Sequence, residues 1–193
     1  MNLNHQIHKV RVYDKALIDS LSKDDIEISN NNVLFKNLIV NFYSYERLYW
    51  KKSQILYNKN GDSIKIDRVL ENKNKIIFNF SEFNCEICIQ EELKILKEVC
   101  SAIGSDNVII IGNFLRNRDL GILLKSMQLE SQCYYSTHFS ILPEIDGKNL
   151  PYVFISGLDY MASELFIINK NSEILTRLYY QIVLKKYFNN DSF

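Results

Sequence analysis

The sequence predicts an α/β domain of three layers, a four-stranded mixed core sheet flanked by helices, with an N-terminal extension and a hairpin ahead of it. Three observations carry this expectation. From residue 75 the apolar runs follow the order β-α-β-α-β-β-α. Two of the strand runs, KIIFNF and NVIIIG, lack polar alternation, as expected for strands buried on both faces. Between them, apolar residues at Ile89, Leu93, Leu96, Cys100 and Ile103 recur every three or four positions and make one helical face.

The N-terminal third is the least regular. ALIDSL reads as a short helix, SKDDIEISNNN as a polar connector, and VLFKNLIVNFYSYERLYW as an apolar, aromatic run of mixed period. Residues 1–53 are expected to form an extension that packs on a core domain of residues 54–193. Trp50, Tyr43, Tyr45 and Tyr49 would supply the contact, as large aromatics usually do.

SQILYNKNGDSIKIDRVL reads as a hairpin, two β-rich runs around Asn60-Gly61. KIIFNF is the first core strand. The helix then runs from Cys85 to Ile103 and stops at Gly104, since glycine is common just past a helix end. NVIIIG is the second strand, parallel to the first through a right-handed crossover. RDLGILLKSMQ is a helix, CYYST a short strand or extended loop, and the stretch to Asn149 a loop carrying Pro143 and Gly147. PYVFIS and SELFIIN form an antiparallel pair around Gly157-Leu158-Asp159. SEILTRLYYQIVLKKYF closes the chain as a helix, with Asn171 or Ser172 as its cap and Lys185 and Lys186 favouring its C-terminal end.

Bulk composition excludes several function classes. The 193 residues suit about one domain, and 47% hydrophobic against 24% charged residues is ordinary globular usage. Lysine plus arginine equals aspartate plus glutamate at 23 each, so no net field draws the chain to nucleic acid or acidic lipid. No apolar h-region opens the sequence and no run approaches the length of a membrane span, so the chain as given is expected to be soluble. Four cysteines are too few for a disulfide scaffold, and no nucleotide-binding or HExxH motif is present.

The chemistry concentrates at NCEIC, residues 84–88. Two cysteines three apart at a helix start have Cα atoms about 5–6 Å apart, within the range of a disulfide. A thiol at the N-cap meets unpaired amide N–H groups and the positive end of the helix dipole, which favour its thiolate. Cys85 is therefore assigned as the attacking thiol, and Cys88, one turn later and facing inward, as the resolving thiol. Asn84, Glu86 and Ile87 tune the pair, and the Glu86 carboxylate opposes thiolate formation at Cys85. A structural zinc site competes with this reading. It needs four ligands, and only Cys100, Cys133 and His138 remain, with no second close pair. Cys100 is expected in the core. Glu82, Glu91 and Glu92 are expected as solvated helix-face charges, the alternative being a buried carboxylate that shuttles the proton of the resolving thiol. His5, His8 and His138 receive no role.

The element order and the motif together resemble the thioredoxin-like superfamily. LYNKNGDSIKIDRVLENKNKIIFNFSEFNCEICIQEE is similar to the start of redoxin-type, membrane-anchored thiol–disulfide oxidoreductases of bacterial cell envelopes, and the resemblance covers about residues 54–188. The chain also resembles thioredoxin-like proteins of Bacteroidetes-type bacteria. The resemblance implies an enzyme of cell redox homeostasis that exchanges disulfides with a protein partner, needs no cofactor beyond the Cys85-Cys88 disulfide, and works in the periplasm or envelope, or in the cytoplasm if no leader was removed. It also implies a cis-proline facing the disulfide, which carries over to Leu150-Pro151 as the substrate-binding element. Asn84 stands where the family has Trp, and Ile87 where it has Pro. These departures keep open a second function, a non-catalytic binding module that holds a peptide or protein partner near Pro151.

Overall fold

The computed structural model describes residues 48–50, 54–70, 73–129, 133–136, 141–157, 160–168, 173–191 and 193, all within one compact unit. His5, His8, His138, Tyr43, Tyr45, the Asn171/Ser172 cap, the Leu158-Asp159 turn and most of the expected extension lie outside the described residues. In chain order the elements are β1 (Leu48–Tyr49), β2 (Ile55–Tyr57), β3 (Ser63–Lys65), α1 (Ile66–Leu70), β4 (Ile76–Ser81) and α2 (Glu86–Ile103). A 3-10 turn at Ser105–Asn107 leads to β5 (Val108–Asn113), α3 (Asn117–Met127), β6 (Cys133–Tyr135) and α4 (Pro143–Asp146). The chain ends with β7 (Tyr152–Ser156), β8 (Met161–Ile167) and α5 (Glu173–Phe188).

Among the described residues the sheet has eight strands, in the order β1-β8-β7-β4-β5-β6-β2-β3, which corrects the expected four. The four expected strands are its contiguous centre, β8-β7-β4-β5, with β4 and β5 parallel and β7 and β8 antiparallel. The additional strands have two or three residues each: β2 and β3 are the expected hairpin, β6 lies in CYYST, and β1 was not expected. The β2–β3 hairpin pairs Leu56 with Ile64 around the Asn60-Gly61 turn, and Tyr57 joins it to β6 at Tyr135. Asn58 closes the loop, its Oδ1 accepting the N–H groups of Asn60 and Asp62 at 2.9 and 3.0 Å, while Gly61 takes a φ of 87°. Beyond Lys65 the second arm turns helical. Ile66, Val69 and Leu70 recur at one-turn spacing and put the inner face of α1 into the core.

β4 is buried along its whole length and β5 all but its last residue, so residues of opposite parity feed two layers. Ile77, Ile109, Ile111, Tyr152 and Phe154 share one core with α1 and α4, and Trp50 belongs to it too. Trp50 meets the Tyr160 ring edge-on at 4.8 Å, whereas Tyr49 is exposed. On the other face Phe78 stacks on Phe80, and α2 packs against α5 and α3. Gly112 makes the α3 contact possible: a Cβ there would lie 2.0 Å from Leu120 Cδ2.

Candidate active site

The parallel strand β4 delivers the chain to the cysteine motif, and Asn84 shapes the turn between them. Its side-chain Oδ1 accepts the Ser81 N–H at 2.6 Å and its own N–H donates to the Ser81 carbonyl at 3.1 Å. An asparagine closing a loop on itself in this way sets where the next helix begins. Cys85 is then the N-cap of α2, in extended conformation, and its carbonyl accepts the first intrahelical bond from Ile89 N–H. Its sulfur accepts the Cys88 backbone N–H at 3.4 Å. Cysteine thus takes the capping part that Ser, Thr or Asp usually plays.

The two thiols differ sharply. Cys85 is half-buried and Cys88 is buried, at 3% exposure. Both stand as thiols, not joined in a disulfide. Burial pushes the Cys88 thiol up to about 11, with the hydrogen bond and charge of Cys85 adding to the effect. Glu86 and Ile87 between them are exposed, and Gln90 donates to Glu86 Oε1 at 3.1 Å. Phe83 and Leu115 are also exposed, at 63% and 85%, and the two loops that carry them are joined by Leu115 N–H donating to Glu82 Oε1 at 3.2 Å.

Glu92 departs from the expectation of a solvated charge. At 1% exposure it lies one turn below Cys88 on α2 and accepts a hydrogen bond from the Tyr180 hydroxyl of α5. Burial raises its carboxyl to about 7, against a smaller opposing effect of the Tyr180 bond. A cavity of about 10 Å³, room for roughly one water molecule, is lined by Cys88, Glu91, Glu92 and Thr176 among others. The helical spacing from Cys88 to Glu92 was a signal for this position, but the rarity of buried carboxylates argued the other way. Glu82 and Glu91 are half-buried. Cys100 is half-buried rather than in the core, and Cys133 is buried.

Leu150 and Pro151 follow α4, and two further side chains of β4 hold the loop that carries them. Asn79 donates to Asp146 Oδ1 at 3.2 Å, and Asp146 also accepts the Tyr152 hydroxyl at 2.8 Å and the Leu142 N–H at 3.0 Å. Ser81 Oγ donates to Asn149 Oδ1 at 3.0 Å. Asn84 Nδ2 donates to the Asn149 carbonyl at 2.8 Å, which ties the loop before Pro151 to the loop before Cys85. Sequence reasoning missed Asn79, Ser81, Asp146 and Asn149, because these bonds join residues more than 60 positions apart. The Leu150-Pro151 bond is trans, as no described peptide bond is cis, which corrects the expected cis-proline. The trans form is the ordinary state of an X-Pro bond, and only the resemblance had argued for the rarer one. Pro151 is buried at the start of β7, where its carbonyl accepts the Ile168 N–H at 3.0 Å.

Among the described residues no three His, Cys, Asp or Glu side chains cluster as metal ligands, and no helix is long and apolar enough to cross a membrane.

No protein-family model matches the sequence, and no curated protein matches it. Solved structures do resemble it. A protein described as the thiol:disulfide interchange protein DsbE of Chlorobium tepidum aligns with a TM-score of 0.51 at 12% identity, over 70% of this chain and 95% of its own. A thiol:disulfide interchange protein from Bacteroides sp. aligns at 0.48 and 13%, over 75% of this chain and 92% of its own. An uncharacterized thioredoxin-like protein from Porphyromonas gingivalis aligns at 0.46 and 18%, over 69% and 92%. At such identities the likeness is one of fold, and the fold is mixed α/β and thioredoxin-like.

Proposed function

We propose that this chain is a thiol–disulfide oxidoreductase that exchanges disulfides with a protein partner through Cys85 and Cys88. One observation carries the reading: an accessible cysteine caps the N-terminus of a helix whose first turn buries a second cysteine, with an amide N–H aimed at the outer sulfur. The fold shared with a structure that bears an interchange protein's name supports it.

In the reducing direction the Cys85 thiolate attacks one sulfur of the partner's disulfide. An S–S bond to Cys85 forms, the partner's own S–S bond breaks, and the first partner thiolate leaves. Cys88 then gives up its proton and attacks Cys85 Sγ, which breaks the mixed disulfide and releases the second partner thiolate. Cys85 and Cys88 end as a disulfide, two electrons have passed to the partner, and its two thiolates are free to take protons from water. The same steps in reverse oxidise a partner dithiol. Cys88 is the harder thiol to ionise, being buried, and Glu92 across the water-sized cavity is placed to accept its proton. Glu86 and Ile87 are the tuning residues of the pair. Leu150 and Pro151, which follow the Asn149 bound by Asn84, are the proposed substrate-binding residues, and the proposed setting is a bacterial cell envelope.

The test is the chemistry of Cys85. Iodoacetamide titration should show an apparent thiol pKa below about 7.5, and equilibration in glutathione buffers should show a defined couple. Cys85→Ser should abolish insulin reduction, and Cys88→Ser should accumulate a mixed disulfide with its partner. A Cys85→Ser variant that reduces insulin like the wild type would overturn the proposal.

A further inference from the structure

We infer that Asn84 is a positioning residue that sets the substrate-binding loop against the reactive cysteine. The inference rests on the oxidoreductase reading and deepens it. One face of β4 runs Ile77, Asn79, Ser81 from the core toward the site. The apolar member joins the core, and the two polar members reach the loop before Pro151, Asn79 through Asp146 and Ser81 through Asn149. Asn84 completes the series from beyond the strand end. Its Nδ2 donates to the Asn149 backbone carbonyl at 2.8 Å and reaches Asn149 Oδ1 at 3.3 Å. Its Oδ1 is already engaged by Ser81 N–H. A side-chain amide is well suited to this place: the oxygen must accept from one loop while the nitrogen donates to the other.

The recipient is conformationally special. Asn149 has a φ of 52°, in the left-handed region that asparagine tolerates better than most residues. There its carbonyl meets Asn84, two residues before Pro151. Asn84 is the residue next to Cys85, so its side chain ties the attacking sulfur's own loop directly to the loop that carries Leu150 and Pro151. A protein substrate that spans both loops feels that tie. A small disulfide that touches only Cys85 does not.

The experiment compares wild type, Asn84→Ala and Asn84→Asp with two disulfides, insulin and hydroxyethyl disulfide. The Asp variant keeps the acceptor for Ser81 N–H but loses the donor to Asn149. Losing the bond to the Asn149 carbonyl, the change common to both variants, predicts a KM for insulin raised about 3- to 10-fold in each. A change in Cys85 itself slows both disulfides alike, so in both variants the loss with insulin should exceed the loss with hydroxyethyl disulfide. Amide hydrogen exchange over residues 147–150 should accelerate in both. Asn84→Asp behaving as wild type would assign Asn84 to turn closure alone and overturn the inference. Equal losses with both disulfides would overturn it as well. An active wild type with unchanged variant KM overturns the positioning role alone, whereas a wild type that exchanges no disulfide overturns the oxidoreductase reading and the positioning role with it.

Discussion

Replacing Glu92 with Gln should change how stability depends on pH, with a sign that the structure determines. In the folded protein the Glu92 carboxyl titrates at about 7, against an ordinary 4.5, because it is buried. Between these two values the folded state holds a proton that the unfolded state releases. Stability therefore falls as pH rises from about 4.5 to about 7, and the full cost persists above that. The displacement of 7 against 4.5 corresponds to about 3 kcal/mol, an order-of-magnitude figure. Gln is neutral at every pH, has nearly the same shape, and offers Tyr180 an acceptor in the place of the carboxyl oxygen. Guanidinium unfolding of wild type and Glu92→Gln at pH 5, 6, 7 and 8 isolates this group, since every other titration cancels in the difference. The variant should be the more stable by about 1 kcal/mol at pH 5, and by about 3 kcal/mol at pH 8. A difference that stays constant across this range would refute the assignment of a buried, proton-holding Glu92.

Three further outcomes are expected. Iodoacetamide at pH 7, followed by peptide mass mapping, should label Cys85 well before Cys88, because Cys88 is buried and its thiol is held near 11. Gly112→Ala should cost about 1–3 kcal/mol by overpacking, and Leu120→Ala in the same chain should relieve part of the clash; urea denaturation of the single and double variants checks both. Phe78→Ala empties a fully buried site stacked on Phe80 and should lower unfolding free energy by about 3–5 kcal/mol in the same assay.

The centre of the fold was legible because its signals are local. Ile76–Ser81 and Val108–Asn113 are buried on both faces, so their runs carry no alternation, and α2 shows its apolar face in the spacing from Ile89 to Ile103. The sheet margins were legible only in part: the hairpin showed at Asn60-Gly61, but its joining of the core sheet through β6 did not. A strand such as Cys133–Tyr135 owes its existence to its place beside Ile110–Gly112, not to its own three residues. The site divides in the same way. The helix-capping place of Cys85 could be read from the apolar run before it and the spacing after it. The burial of Glu92 depends on Tyr180, 88 residues away, and the grip of Asn84 depends on Asn149, 65 residues away. The trans state of Leu150-Pro151 follows the general preference of the backbone, which the resemblance had overridden.

The sulfur that caps α2 is also the sulfur proposed to react, so on that reading helix stability and redox poise draw on the same free energy. When Cys85 Sγ accepts the Cys88 N–H, the first turn of α2 is stabilised in the dithiol state. A cap of this kind is worth about 1 kcal/mol, which for a two-electron couple corresponds to about 20 mV toward a more oxidising potential. The exposed Glu86 carboxylate pulls the other way, since a negative charge next to Cys85 disfavours the thiolate. Any substitution that strengthens or frays the first turn of α2 should therefore shift the proposed couple as well, even where it touches neither cysteine.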